Sequence, residues 1–148
     1  MNLLPDDSPE VTAVREALRD RRGVVNLEVG RFAAEDSPAA AASALAGELG
    51  FRIPPGWSAL SSDEGPAFLA RLLARDGATD TPAIPLAEAQ TLTARVRALF
   101  SDGAAFYPLG PLDLGLVPEG DPPRAGAPFD SGMLVIDGER VGLLWIED

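Results

Sequence analysis

The sequence predicts one α+β domain, in which about four helices pack on a small, mainly antiparallel sheet of three to four strands with a C-terminal β-hairpin. A length of 148 residues suits a single hydrophobic core, so residues 1–148 are interpreted as one domain. Four segments have the helical spacing of apolar side chains, and three of them begin with helix-capping residues. The last two β-rich segments flank a turn dipeptide, and this arrangement predicts the hairpin.

The first helix and the first strand follow each other directly. Ser8 can cap a helix and Pro9 suits its first position, so a helix is predicted from there to Gly23. Residues 24–29 then predict a strand from their β-branched content. One side of that strand is expected to be buried and the other partly wet, because valine and leucine alternate with Asn26 and Glu28.

Three further helices are predicted, two from their caps and one from the spacing of its apolar residues. Ser37-Pro38 repeats the cap-plus-proline pattern, and an alanine-rich helix follows to about residue 49. Ser61 and Glu64 have the spacing of a capping box, which predicts a helix to about residue 75. A fourth helix is expected near residues 86–100, with Ala89, Leu92, Val96, Leu99 and Phe100 buried.

The hairpin is predicted to lie at the centre of the sheet. Residues 132–136 and 139–146 flank Asp137-Gly138, the dipeptide that a two-residue type I′ turn favours. Both faces are apolar, so a layer is expected on each side and the early strand is expected to pair with the hairpin. One face consists of Leu134, Ile136, Val141, Leu143 and Trp145, and the other of Met133, Val135, Leu144 and Ile146.

Residues 101–130 are rich in proline and glycine and are interpreted as a loop region inside the domain. Within this region, residues 112–117 alternate well enough to predict one short edge strand. Residues 118–128 are expected to form an exposed loop.

The composition removes much of the catalytic repertoire. The chain contains no cysteine and no histidine, and all twelve of its basic residues are arginine. Thiolate catalysis, cysteine-based zinc sites, imidazole bases and Schiff-base lysines are therefore absent. We expect no cofactor and lean towards a protein that is not an enzyme.

The charge is strongly negative and unevenly distributed. The formal net charge is −11, of which residues 101–148 carry −7. Such a field repels nucleic-acid phosphates and anionic membranes and favours a basic protein partner, although solubility alone would also account for it. The N-terminus lacks the features of a signal peptide and no apolar run could span a membrane, so a cytoplasmic location is expected.

The acidic residues give few candidate metal or catalytic sites. Four acidic doublets could offer oxygen ligands to Mg²⁺ or Ca²⁺, but none has EF-hand spacing and no metal site is predicted. Glu28 and Asp113 are the best candidates for a pair of catalytic carboxylates. Arg15, Arg19 and Arg22 form a partial stripe on the first helix, but interspersed acids make it typical of a solvated face.

An aromatic segment is the main candidate binding surface. Residues 105–112 carry two adjacent aromatic side chains in a proline-stiffened stretch, and rigid aromatic loops lose little entropy on binding. The alternative is that the two aromatic side chains fold back over the hairpin, and the need to cover both of its faces favours this alternative. The candidate binding residues are Phe106, Tyr107, Leu109, Leu112 and Asp113.

Three functions remain open. The leading hypothesis is a non-enzymatic interaction module, such as an inhibitor, an immunity-like protein or an adaptor, that engages a basic partner. A carboxylate-dependent hydrolase or Mg²⁺- or Ca²⁺-assisted enzyme is the second, and it requires acids that converge in a cleft. A structural subunit of a homo-oligomer is the third.

Overall fold

A computed structural model of the protein describes residues 4–23, 25–32, 37–48, 58–76, 81–109 and 131–146. The helices in these ranges are α1 (Pro9–Arg21), α2 (Pro38–Glu48), α3 (Glu64–Ala74) and α4 (Leu86–Arg97). The strands are β1 (Leu4–Pro5), β2 (Val25–Arg31), β3 (Arg75–Asp76), β4 (Thr81–Pro82), β5 (Ala105–Leu109), β6 (Ser131–Asp137) and β7 (Arg140–Ile146). None of the described helices is both long and apolar enough to cross a membrane.

The main sheet is antiparallel and has the strand order β1-β2-β7-β6-β5. Four of its strands are five to seven residues long, and the two-residue β1 extends one edge. The predicted α+β architecture and the C-terminal hairpin, β6–β7, are confirmed. The pairing of the early strand with the hairpin is also confirmed, since β2 pairs with β7 along its whole length. Strands β3 and β4 form a separate two-stranded sheet.

The position of the hairpin turn was predicted wrongly by one residue. Asp137 pairs with Arg140, so the turn residues are Gly138 and Glu139. Gly138 has a φ of 61°, a conformation that glycine adopts readily. Asp137 is held as the last strand residue because its carboxylate accepts hydrogen bonds from the backbone and the hydroxyl of Ser101, at 2.8 and 2.7 Å.

The faces of the hairpin are those that the sequence predicted. Moving the turn by one residue changes the cross-strand partners but keeps each side chain on its own face, because the pairing shifts by two residues. The face that packs against α1, α3 and α4 is called the three-helix face, and it contains Met133, Val135, Leu144 and Ile146. The opposite face, called the α2 face, contains Leu134, Ile136, Val141, Leu143 and the half-buried Trp145.

The predicted helix caps are present in the structure. The Ser8 hydroxyl accepts from the Val11 N–H at the start of α1. Before α3, the Ser61 hydroxyl accepts from the Glu64 N–H at 3.0 Å, and the Glu64 carboxylate accepts from the Ser61 N–H at 3.2 Å. This reciprocal pair is the capping box that the spacing predicted.

Strand β5 lies in the region that was interpreted as a loop. No strand was predicted there because Pro108 interrupts the segment, yet Pro108 pairs with Met133 of β6. Strand β5 is at the edge of the sheet, where a proline is tolerated. The Phe106 carbonyl faces outward and accepts from the Leu60 N–H at 2.8 Å. Pro108 has the same orientation in the strand, so its missing N–H removes no bond to β6. The predicted strand at residues 112–117 lies outside the described residues.

Candidate functional site

The aromatic segment is a buried strand in the structure. Phe106 and Tyr107 are 2% and 4% exposed, and Leu109 is buried as well. Alternation along β5 sends Phe106 to the three-helix face and the other two to the α2 face. The two aromatic residues therefore cover the hairpin from a neighbouring strand, one on each face.

This placement leaves the three described candidates without an exposed surface. The pKa of the Tyr107 hydroxyl lies above its ordinary value because burial disfavours the phenolate. Leu112 and Asp113 lie outside the described residues, and their role in binding stays a prediction.

The described carboxylates do not gather into a group that could hold a metal ion. Among the residues that the structure describes, no group of three acidic, histidine or cysteine side chains comes together. Glu28 is exposed on β2, opposite Leu143, and its proposed partner Asp113 lies outside the described ranges. The Glu64 carboxylate accepts from the Ser61 N–H, and Asp6 and Asp7 contact arginines, so these three acids have structural partners. Asp63 is exposed at the start of α3, and its side chain makes no capping hydrogen bond.

The arginines along α1 contact the protein itself. Arg22 is buried, which corrects its interpretation as part of a solvated face, whereas Arg15 is half-buried and Arg19 is exposed. The Arg15 Nε donates to the Leu27 carbonyl at 2.9 Å, and the Arg19 Nη2 donates to the Asn26 side chain at 3.1 Å. Both partners belong to β2, which lies beside α1. These side chains therefore attach the helix to the edge of the sheet.

Arg22 performs a similar role towards α3. Its buried Nη1 donates to the carbonyls of Leu72, Leu73 and Arg75 at 3.0, 3.2 and 2.8 Å. Those carbonyls lie at the C-terminal end of α3, where a helix leaves its last acceptors unsatisfied. The arginine thus caps a helix that lies fifty residues further along the chain.

The solvent side of α1 is left acidic by these contacts. Glu16 and Asp20 are exposed on the helical arc opposite the core residues, and Glu10 is exposed at the side of the first turn. Arg21, the remaining arginine of the helix, pairs with Glu88 of α4, its Nη2 lying 2.8 Å from Oε2. We call Glu10, Glu16 and Asp20 the α1 acidic face.

A second charged group lies where β1, β2 and β7 meet. Arg31 and Arg140 are directly opposite each other on β2 and β7. Like charges in this position repel, and the Asp6 carboxylate lies beside them. The Arg140 Nη2 donates to Asp6 Oδ2 at 3.1 Å, and the Ser8 N–H donates to Asp6 Oδ1 at 3.0 Å. We call Asp6, Arg31 and Arg140 the Asp6 cluster.

The electrostatics of the Asp6 cluster follow from these donors. The pKa of the Asp6 carboxyl lies below its ordinary value, chiefly because the Ser8 N–H donates to it. Arg140 and Arg31 add to the lowering of this pKa, while burial partly opposes it. The carboxylate is therefore ionised at neutral pH and neutralises one of the two arginines.

The Asp6 cluster could not be found from the sequence. Asp6 and Arg140 are separated by 134 positions, and only the register of β1, β2 and β7 brings them together. The proximity of Arg31 and Arg140 depends on the same register. A correct prediction of the strand pairing would have placed Arg31 opposite Arg140. Asp6 would still have been interpreted as an acidic residue near the N-terminus with no partner in the sheet.

Comparisons with protein-family models, with curated proteins and with solved structures find no match to this chain.

Proposed function

We propose that this protein is a non-enzymatic interaction module that engages a basic partner, as an inhibitor, an immunity-like protein or an adaptor would. The observation that carries the proposal is the division of charge on α1. Its arginines are held by hydrogen bonds and ion pairs within the chain, whereas Glu10, Glu16 and Asp20 are directed to solvent.

The remaining described surface also favours recognition by charge. Leu86 is the large hydrophobic residue that stands exposed in the described ranges, so this surface has little apolar area to offer. The net charge of −11 attracts basic proteins over a distance of about one Debye length, ~8–10 Å in physiological salt. The described ranges account for −4 of that charge, so the residues outside them contribute the larger part of the field.

The experiment compares two variants of equal net charge. In the first, Glu10→Gln, Glu16→Gln and Asp20→Asn neutralise the α1 acidic face. In the second, Asp63→Asn, Asp102→Asn and Glu139→Gln neutralise three exposed acids elsewhere. Binding of an arginine-rich peptide is measured for both variants and for the wild type at low and high salt.

We expect the wild type to bind with an affinity that falls with salt, and the first variant to bind about three- to tenfold more weakly than the second. Binding that does not depend on salt, or no binding by the wild type, would contradict the proposed function. Equal weakening in both variants would show that total charge matters and that the α1 acidic face does not.

A further inference from the structure

Two N–H groups of the Arg140 guanidinium differ in their hydrogen bonding. Its Nη2 donates to Asp6, but its Nε is buried and has no hydrogen-bond partner among the residues that the structure describes. These two groups point along the same edge of the guanidinium and form a fork that fits the two oxygens of one carboxylate. Asp6 fills only half of this fork, because one of its oxygens accepts from Arg140 Nη2 and the other is turned towards the Ser8 N–H.

Another arginine in the same protein shows the complete arrangement. Both Nε and Nη2 of Arg21 contact the two carboxylate oxygens of Glu88. Arg21 therefore uses both N–H groups of this guanidinium edge, whereas Arg140 uses only Nη2 within the described residues. An unpartnered buried N–H costs stability, so the Arg140 edge retains an affinity for a second acceptor oxygen.

Arg31 adds a second positive charge at the same place. It is exposed and lies opposite Arg140 across the β2–β7 ladder. The cluster thus holds two guanidinium groups and one carboxylate. Phe100 lies under Arg140, with the guanidinium carbon 5.6 Å from the ring centre, and fixes its orientation.

The segment that carries Asp6 is held by few contacts. Strand β1 has two residues, which pair with Gly30 and Arg31, and the Asp6 N–H donates to the Val29 carbonyl at 2.8 Å. A two-residue strand at the sheet edge opens more readily than the central strands. When it opens, Asp6 leaves and both arginines lose their counter-ion.

We propose that Arg140 and Arg31 form a binding site for an external carboxylate, and that Asp6 occupies this site within the chain. The ligand takes Nε and Nη2 of Arg140 with its two oxygens and compensates Arg31 with its charge. Its binding displaces β1 from the edge of β2. This site is distinct from the α1 acidic face, and the inference does not depend on the proposed function.

The surrounding charges limit the ligand to a small anion or a single carboxyl group. Asp6 itself competes for the site, Asp137 and Glu139 lie beside Arg140 in the hairpin, and the net charge of −11 repels polyanions. The Asp137 carboxylate accepts hydrogen bonds from the neutral Ser101 and keeps its charge, so it adds to the repulsion of highly charged anions. A carboxyl group of low total charge therefore fits better than a nucleic acid or an anionic membrane.

The test removes the internal carboxylate from the site and then offers an external one. Asp6→Ala removes the internal carboxylate, and Asp7→Ala is the matched control because Asp7 is a neighbouring exposed acid that contacts only Arg15 among the described residues. Each variant is titrated with sodium formate, with sodium chloride at equal ionic strength and with sodium phosphate, and thermal stability is recorded. The Nε–H resonance of Arg140 is followed by NMR.

We expect formate to stabilise Asp6→Ala in a saturable manner, with an apparent Kd on the order of millimolar or weaker, and to shift the Arg140 resonance. Asp7→Ala should not respond beyond chloride. Adding Arg140→Lys to Asp6→Ala should abolish the formate response, since lysine keeps the charge but lacks the fork.

Several results would overturn the inference. Equal effects of formate and chloride on Asp6→Ala would show screening and no site. An effect of phosphate as large as that of formate would show that the site does not select a planar carboxylate. If Asp6→Ala does not fold, the same NMR titration is made with Asp6→Asn, which keeps an acceptor for the Ser8 N–H, and an unshifted Arg140 resonance would overturn the proposal.

Discussion

The two faces of the central hairpin are equally apolar but are closed in different ways. On the three-helix face, aromatic rings lie directly against glycines of other elements. On the α2 face, the described cover is a single helix whose buried residues are mostly alanine. Closure of the three-helix face depends on close contacts between particular atoms. Closure of the α2 face leaves more tolerance for changes in side-chain size.

Two contacts illustrate the closure of the three-helix face. A Cβ added at Gly65 of α3 would lie 2.6 Å from Cγ of Phe106. A Cβ added at Gly142 of β7 would lie 2.5 Å from Cζ of Phe100. Each glycine therefore provides the space in which a ring packs, and neither position has room for a methyl group.

The α2 face is covered by small side chains. Gly47, near the end of α2, is exposed on the side of the helix away from the sheet, and an added Cβ would have no atom within 4 Å there. Ala41, Ala42, Leu45 and Ala46 form the buried side of this helix. Small side chains let α2 approach the sheet closely, so this face is covered without large side chains that interlock.

The largest effect is expected from removing a ring on the three-helix face. Phe106→Ala should destabilise the protein by about 3–5 kcal/mol, because the side chain is fully buried and its cavity is lined by α3, which cannot collapse onto β5. Leu45→Ala on the α2 face should cost less, about 2–3 kcal/mol. Urea unfolding with unchanged m-values measures both. A larger loss for Leu45→Ala would contradict the difference between the faces.

The same variant bears on the aromatic binding hypothesis. Because Phe106 supports the core, weaker binding by Phe106→Ala would report unfolding as well as any lost contact. Binding has to be measured under conditions in which the variant is folded. Only a loss of affinity in the folded variant would favour Phe106 as a contact residue.

An intermediate effect is expected from one substitution made at a buried and at an exposed helix glycine. Gly65→Ala should destabilise the protein by about 1–3 kcal/mol, since the new methyl group overlaps Phe106. Gly47→Ala should stabilise it by about 0.5–1 kcal/mol, since alanine is the better helix former and Gly47 is exposed on the side of α2 away from the sheet. Paired urea titrations check the sign of each change. Unchanged stability of Gly65→Ala would contradict the close contact between Gly65 and Phe106 on the three-helix face.

Patterns within the sequence predicted the helices and the side-chain faces, but not the contacts between distant elements. The capping box at Ser61 and the alternation of residues 132–146 are local signals, and both were interpreted correctly. Strand β5 was missed because Pro108 opposes a strand unless the strand is known to be at an edge. The turn was displaced because Ser101, which holds Asp137 in the strand, is thirty-six positions away.

The candidate sites also show that local patterns were predictable and that contacts between distant elements were not. The sequence showed that α1 carries arginines and acids, but not which of them would reach the sheet, because that depends on where β2 lies relative to the helix. Arg15 and Arg19 were therefore assigned to solvent although both bind β2. The Asp6 cluster depends on strand register alone, and no local pattern marks it.

The smallest effect is a titration on the α2 face. Tyr107 is the only tyrosine, so the ultraviolet absorbance of its phenolate can be followed without interference from another tyrosine. Burial raises its pKa above the ordinary value of 10.0, so the phenolate should form at higher pH in the folded protein than in urea. Since the folded-state pKa is the higher one, its contribution to stability is complete below the unfolded pKa and is lost as pH rises through the folded pKa. Tyr107→Phe should remove this alkaline dependence and the absorbance change together. Titration at the ordinary value would mean that water reaches the hydroxyl, and closure of the α2 face over β5 would then be incomplete.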